Sequence, residues 1–519
     1  MIRRLALICG GLGLIACQPV IEADYIIENG QVFTGDNTPA QSLTVAIKDG
    51  DIIYVGADAK RITSDAFIDA EGLYVVPGFI DPHTHSLTEL THEDAAIRRN
   101  LNYQFQGVTT VVNGNDGFGE PDIARQVVGF DEKPIGTNTA LFIGHGALRK
   151  TVMGGDNRPP TEAELAEMKA LIGAAMNAGA LGLSTGLFYA PGSFADTDEV
   201  ITLAREVSQY GGIYDSHIRD ESTYNIGLLA AIDEVITIAR EAGIHAHIAH
   251  IKALGVDVWG QSAGIIDRVS RARAEGLAVT ADQYPWQASG TRISNALLPR
   301  WVKAGTQADY QARLNDPALV ERLLSETAEN LRKRGGAEAV LITQKHPHWQ
   351  GKTLGALAVE QGITPVEMAL HIARNGDARI ASFNMSSSDI EAFMVQDWVM
   401  TSSDGSTGHP RKYASYPKKY RDYVIARDLM PVETFFYKSS GQVADMLALC
   451  DRGYLRQGYA ADIAIIDPED FRPLADFHNP EVLSAGVVHL FVNGVPVILQ
   501  RRAQDAWPGQ VVKRCEHSR

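Results

Sequence analysis

Behind a short apolar leader, hydrophobic and polar positions alternate with period two. The stretches "DYIIENGQVFTG", "SLTVAIKDGDIIYVG" and "AFIDAEGLYVVPG" are broken by Asn-Gly and Asp-Gly pairs. Period-two alternation with these turn residues predicts hairpins with one buried face. The same pattern returns near the end of the chain, in "YAADIAIIDPE" and "VVHLFVNGVPVI". The two ends, 25–75 and 455–512, are therefore expected to build one small discontinuous β-sandwich. Between them, over 76–454, the pattern changes to apolar run, turn, then helix. "GVTTVVNGND", "TALFIGHG", "ALGLSTGL", "GGIYDSH", "IHAHIAHIK", "LAVTADQYP" and "WVMTSSDG" read as buried strands, following a first strand in "VVPGFIDPHTH". Helical stretches such as "TEAELAEMKALIGAAMNAG" and "GLLAAIDEVITIAREAG" separate them. Strands alternating with helices imply a parallel sheet with crossover helices. Eight units fit the span, so the expected fold class is α/β, a (β/α)8 TIM-type barrel with its active site at the strand C-terminal ends. The alternation lapses at about 293–348, which predicts a helix-rich insertion able to act as a lid.

Composition narrows this only slightly. The chain has 519 residues, 45% hydrophobic and 21% charged, in the range of a globular protein with a large core. A net charge of −16 argues against nucleic acid as a partner. The start is a basic "MIRR", an apolar "LALICGGLGLIA" too short for a stable span, and Cys17. "LIAC" resembles the bacterial lipoprotein processing box. Residues 1–17 are thus expected to be a lipoprotein signal peptide, with membrane attachment through a lipidated Cys17. Gln18 after the cysteine suggests the periplasmic face of the outer membrane in a bacterial cell envelope. Besides Cys9 and Cys17 only Cys450 and Cys515 occur, so no disulfide framework is expected and cysteine cannot supply a metal site.

The chemistry lies in what closes the apolar runs. His83 and His85, two apart, are read as facing one side and offering two imidazoles to a metal. Later runs end in Asp116, His217, His250 and Asp404. In "IHAHIAH", period-two parity places His250 on the face of Ala246 and Ile248, and turns His245 and His247 away, toward the helices. A set of four histidines and carboxylates suits zinc, which lowers the pKa of a bound water toward about 7. A neighbouring ionised carboxylate can accept that water's proton and hand it to a leaving amine. No phosphate-binding glycine loop and no serine nucleophile elbow are present.

On "GFIDPHTH", "GVTTVV", "GHGALR", "GALGLSTGLFYAPG", "YDSHIRDE", "HIKALG", "ADQYPW", "SSDGSTGHPR" and "GYAADIAIIDP" the chain resembles the amidohydrolase superfamily, and within it the N-acyl-D-amino-acid deacylases (D-aminoacylases). The resemblance implies a barrel with a sandwich, an insertion after the sixth strand, zinc, and hydrolysis of an amide beside a D-configured carbon. By position it implies metal ligands at His83, His85, His217 and His250, and a catalytic Asp404. The family's remaining ligand is the cysteine of "GNCG"; here the sequence is "GNDG", which puts Asp116 in that role through a harder oxygen ligand. Tyr189, Lys252 and Tyr284 are implied to hold the substrate carboxylate and the scissile carbonyl, with Arg219 and Arg411 as further candidates. His145 in "GHGALR" reads as a loop support, or else as a metal ligand or substrate contact. The expected activity is zinc-dependent release of a carboxylate and a free D-amino acid from N-acyl-D-amino acids, with one zinc and room for a second or another divalent metal. Alternatives left open are an envelope dipeptidase for L-Xaa-D-Xaa, another amide hydrolase, and a non-catalytic lipoprotein that lost its metal at Asp116.

Overall fold

The computed structural model describes residues 20–515. The leader and Cys17 lie outside them, and no helix among the described residues is long and apolar enough to cross a membrane.

Eight parallel strands form a barrel. They run Phe79–Asp81, Val108–Asn113, Asn138–Leu141 with its continuation Ile143–Gly144, Gly182–Gly186, Ile213–His217, His245–Ile248, Val279–Gln283 and Val399–Thr401. The last strand meets the first through a parallel bridge between Thr84 and Gly405, which closes the ring. These strands are buried on both faces, as parallel strands under a layer of helices must be, and so read as nearly continuous apolar runs. The helices between them carry their own start and stop signals. Helix Glu162–Ala178 opens on a capping box, with Thr161 and Glu164 satisfying each other's free backbone N–H groups, and ends at Gly179 in the left-handed region.

Both chain ends enter the β-sandwich. One sheet holds Asp51–Gly56, Thr44–Lys48, Tyr25–Glu28 and Phe67–Asp69. The other pairs Tyr74–Pro77 from the N-terminal side with Ile463–Ile466 from the C-terminal side, antiparallel, with Val75 opposite Ile465. Ile27, Val45, Ile47, Val75, Ile463 and Phe491 fill the space between the sheets. Tyr74–Pro77 runs almost directly into the first barrel strand, so the sandwich anchors the strand that leads to His83.

The insertion departs from the expected place and size. It follows the seventh strand, not the sixth, and it extends beyond 293–348. It contains a three-stranded antiparallel sheet in the order Ala288–Arg292, Arg379–Phe383, Val340–Ile342, with helices including Val320–Lys333 and Pro365–Arg374 packed around a small core of its own. Its strands are only three to five residues long, and the first two pair across a long stretch of chain, so no local period marks them. The cysteine expectation is also corrected. Cys450 and Cys515 are joined in a disulfide, their Cα atoms 5.3 Å apart, which ties the end of the chain to the turn after helix Gly441–Leu447.

Candidate active site

Four imidazoles converge on Asp116 at the C-terminal mouth of the barrel. Asp116 Oδ1 lies 3.2 Å from His250 Nε2, 3.6 Å from His217 Nδ1 and 3.4 Å from His83 Nε2, while Oδ2 lies 3.4 Å from His85 Nε2. His217 Nδ1 and His250 Nε2 are 2.9 Å apart. Asp404 Oδ1 is 3.3 Å from His85 Nε2. The donors thus form two adjoining groups, Asp116 with His217 and His250, and His83 with His85, Asp116 and Asp404, with Asp116 common to both.

This donor set fits a metal. His83 Nε2 is buried without a hydrogen bond, aimed at Asp116. Burial works against charge on Asp116, yet the surrounding His83, His217 and His250 hold its pKa well below the usual carboxylate range. Burial and Lys252 disfavour protonation of His250, but Asp404 and Asp116 outweigh them and raise its pKa to about 10. His85 behaves alike: against burial, Asp116 and Asp404 raise it to about 9. A divalent cation bound here would compensate the carboxylates and compete with protons for these imidazoles.

Local backbone brings the ligands in. Only His217 is the last residue of its strand; Asp116 and Asp404 sit three residues past theirs. Asp116, His250 and Asp404 have φ of 58°, 36° and 47°, the left-handed region that side-chain-bearing residues rarely adopt. Gly117 follows with φ 76°, where an added Cβ would lie 2.8 Å from the backbone nitrogen of Gly186. The parity reading of the sixth strand is therefore corrected. Ala246 and Ile248 join the apolar layer with Ile232, Val235 and Val269 of the flanking helices. His247 faces the barrel interior, its Nε2 2.8 Å from Asp282 Oδ2 and its Nδ1 2.8 Å from Thr280 Oγ1. His250 reaches the site because the chain breaks from the strand after Ile248 and turns through its positive φ.

Beneath the ligands lies a layer of carboxylates that the sequence reading did not single out. Asp282 Oδ1 accepts the His250 backbone N–H at 3.0 Å, and Asp81 Oδ1 accepts those of His83 and Ser403 at 3.2 and 3.1 Å. Burial pushes the Asp81 carboxyl up to about 8. Glu221, four residues beyond His217 in "HIRDE", was also overlooked. It pairs with Lys252 Nζ, and its Oε1 lies 3.2 Å from His250 Nδ1. The i,i+4 spacing from His217 was the available signal.

A cavity of about 280 Å³ opens above Asp116, lined by Tyr189, Lys252, Tyr284, Asp404 and Arg411 and roofed by the insertion. Tyr189 lies against the ring of His217, centroids 4.7 Å apart. Arg411 forms a 2.8 Å ion pair with Asp404 Oδ2 and lies over the ring of Tyr284. Burial would raise the Asp404 pKa, but Arg411, then His250 and His85, hold it far below the usual range. Arg219 is not in the cavity. It is locked to Glu234 by three contacts of 2.8–3.0 Å and fastens the loop after the fifth strand to helix Leu228–Ala242. His145 is likewise outside, fully buried with Nε2 2.8 Å from Glu199, a loop support.

Residues 66–498 match the model of the Amidohydrolase family. The chain belongs to that family. It is 30% identical to the N-acyl-D-aspartate deacylase of Alcaligenes xylosoxydans xylosoxydans over 95% of each chain. Among solved structures it is similar to D-aminoacylase, with 28% identity and a TM-score of 0.81 over 95% of this chain and all of that one. It is equally similar to the N-acyl-D-glutamate deacylase of Bordetella bronchiseptica solved with zinc and a phosphonate mimic of the tetrahedral intermediate, at 27% identity, TM-score 0.81 and the same coverage. The amidohydrolase described above is a metal-dependent amide hydrolase.

Proposed function

We propose that this amidohydrolase hydrolyses the amide of N-acyl-D-amino acids with zinc, releasing a carboxylate and a free D-amino acid. The observation that carries the reading is the convergence of four imidazoles and Asp404 on Asp116 at the floor of the cavity. The metal would be held by His217, His250 and Asp116, with His83 and His85 completing the centre, and Asp116 has a carboxylate oxygen on each side for a second ion. When bound, zinc supplies Lewis acidity to the scissile carbonyl and to the attacking water.

The chain's own groups account for the rest. Arg411 fixes one oxygen of Asp404 and leaves the other facing His85, so this carboxylate stays ionised and aimed at the site. It takes a proton from water as the water oxygen adds to the carbonyl carbon. It returns that proton to the amine nitrogen as the C–N bond breaks. Lys252, tethered by Glu221, and Tyr284 stand where they can meet the substrate's polar atoms. The activities of these relatives, deacylation of N-acyl-D-aspartate and N-acyl-D-glutamate, support the D-amino acid class.

The test uses protein lacking residues 1–17, loaded with zinc. Free amino acid is measured from paired N-acetyl-D- and N-acetyl-L-amino acids and from L-Xaa-D-Xaa dipeptides. D-selective release that falls roughly a hundred- to ten-thousand-fold in Asp404→Asn is expected. Near-normal rates in Asp404→Asn would sink the mechanism, and release from the dipeptides alone would move the substrate to that class. We also propose that the protein is lipid-anchored in a bacterial envelope. The leader pattern before Cys17 supports this, as does the Cys450–Cys515 bond, which suits an oxidising compartment. Acyl-chain label should enter the full-length protein and be lost in Cys17→Ser.

A further inference from the structure

A second hollow adjoins the cavity above Asp116. It has a volume of about 570 Å³ and lies between the loops after the fourth and fifth barrel strands and the insertion. Phe188, Tyr224 and Asn295 line both spaces and form the passage between them. Phe188 follows strand Gly182–Gly186 and Tyr224 follows strand Ile213–His217, and their rings meet edge to face with centroids 5.7 Å apart. The Arg300 guanidinium covers the Phe188 ring at 4.2 Å. Beyond the passage the wall is Leu298, Pro299 and Trp301 of the insertion, completed by helix Val320–Lys333.

The charged groups of this groove are largely committed to the protein. Glu326 holds Arg322 and accepts the Trp301 indole N–H at 2.9 Å, Glu329 holds Arg332, and Lys333 Nζ donates to the Thr223 carbonyl at 2.8 Å. Arg300 is turned to the Phe188 ring and to the Arg219 carbonyl at 3.4 Å. What the groove offers a guest is therefore mainly apolar and aromatic surface. The reaction gives it a direction. Asp404 hands its proton to the amine nitrogen, which sets the amine half of the amide over the part of the centre that holds His85 and Asp404. In a planar amide the acyl substituent leaves the carbonyl carbon on the side away from nitrogen, here the side of His217. Tyr189 lies there, its ring centroid 4.7 Å from that of His217, and Phe188 lies beside it at 5.8 Å from the same ring. The passage into the groove continues that line.

An acetyl group carries one carbon beyond its carbonyl and cannot reach along such a groove. We propose that the acyl group of the substrate is a long unbranched aliphatic chain, which passes Phe188 and Tyr224 and lies along Leu298, Pro299 and Trp301. Removal of its methylene groups from water supplies the binding energy. A peptidyl acyl group would need partners for each amide it buried, and the Asn330 amide and the Lys333 ammonium are already engaged by the carbonyls of Leu297 and Thr223. This inference rests on the deacylase reading above and adds the acyl class to it.

The test uses zinc-loaded protein lacking residues 1–17 and the D-amino acid released best from its acetyl form. The acyl group is then lengthened from acetyl through butanoyl and hexanoyl to octanoyl. Each buried methylene corresponds to roughly fourfold, so kcat/KM for the octanoyl compound should exceed that for the acetyl compound by at least about thirtyfold. The gain should lie mostly in KM, because the chain binds away from the reacting atoms. Ser325 is exposed and lines the groove, so Ser325→Trp obstructs it without disturbing the core, while Trp301→Ala strips one wall. In each variant the octanoyl-to-acetyl ratio should fall at least about tenfold. Equal kcat/KM along the series, or a decline with length, would overturn the inference and leave the deacylase reading in place. A length preference that survives both substitutions would overturn the groove as its seat. Faster release from a chain of equal length ending in a carboxylate would make Arg300 an anion receptor and overturn the apolar assignment. Absence of turnover on every N-acyl-D-amino acid overturns the deacylase reading, and this inference with it.

Discussion

Asp116, His250 and Asp404 share a backbone conformation that side-chain-bearing residues avoid, at a cost of order 1–3 kcal/mol each. The neighbours impose it: Asp282 holds the His250 N–H, and the carbonyl of His83 accepts the Asp404 N–H at 3.0 Å. The return is that residues following three different strands meet at one centre. Asp116 is the residue on which that meeting depends, because its two oxygens face both halves of the centre. Asp116→Ala should therefore remove the one anion shared by all four imidazoles, and zinc per chain after gel filtration should fall well below one. Asp116→Cys, which restores a thiolate ligand, should keep bound zinc. Equal zinc in wild type and in Asp116→Ala, by elemental analysis, would remove Asp116 from the centre. At this scale the sequence was informative about residue identity and poor about direction. His83, His85, Asp116, His217, His250 and Asp404 all gather at one point, as their positions at the ends of apolar runs suggested. Parity failed at His250 because period two holds only while the strand lasts, and the strand stops at Ile248.

At the scale of elements, the barrel strands were legible because burial on both faces writes them as apolar runs. The insertion's strands were not. Ala288–Arg292 is short and mixed in character, and its partner Arg379–Phe383 is remote in sequence, so Arg292 and Arg379 could not be seen as neighbours. The Asp81–Asp282 layer was hidden for a related reason: it acts on ligands, and nothing in a single sequence distinguishes it from surface carboxylates, whereas Glu221 showed only through its spacing from His217. The sixth strand carries a consequence of its own. His245 and His247 share the hydroxyl of Thr280, and burial, then His247, lowers the His245 pKa to about 4. The unfolded chain, with an ordinary histidine near 6.5, binds more protons between these two values. Stability from this group is thus fully present above pH 6.5 and is lost as pH falls toward 4, by up to about 3 kcal/mol. His245→Gln keeps a partner for Thr280 and cannot titrate. Its thermal midpoint should fall less than that of wild type between pH 6.5 and 4. Parallel curves would mean His245 is as easily protonated folded as unfolded.

Across the whole molecule, the two chain ends bracket the barrel and are fastened to it far from the cavity. The N-terminal side enters through the sandwich and delivers the first strand. The C-terminal segment lies along the barrel, with Gly509 bridging Ile135 and Val511 bridging Thr139, before Cys515 joins Cys450. That bond closes a loop of 65 residues holding the C-terminal half of the sandwich, including Ile463–Ile466 and Val487–Val492. Loop-closure entropy assigns such a cross-link up to about 4 kcal/mol, mostly by restricting the unfolded chain. Because neither cysteine touches the cavity, its effect on stability should be separable from catalysis. The Cys450→Ser, Cys515→Ser double variant should melt lower than oxidised wild type and match wild type in reductant, while kcat and KM at 25 °C stay unchanged. If reductant left the wild-type midpoint where it was, the covalent tie would contribute nothing, and the non-covalent strands of the sandwich alone would hold the chain end. If the midpoint fell, the sandwich would need an oxidising compartment for full stability, and the same bond would link the barrel's integrity to the location that the leader suggests.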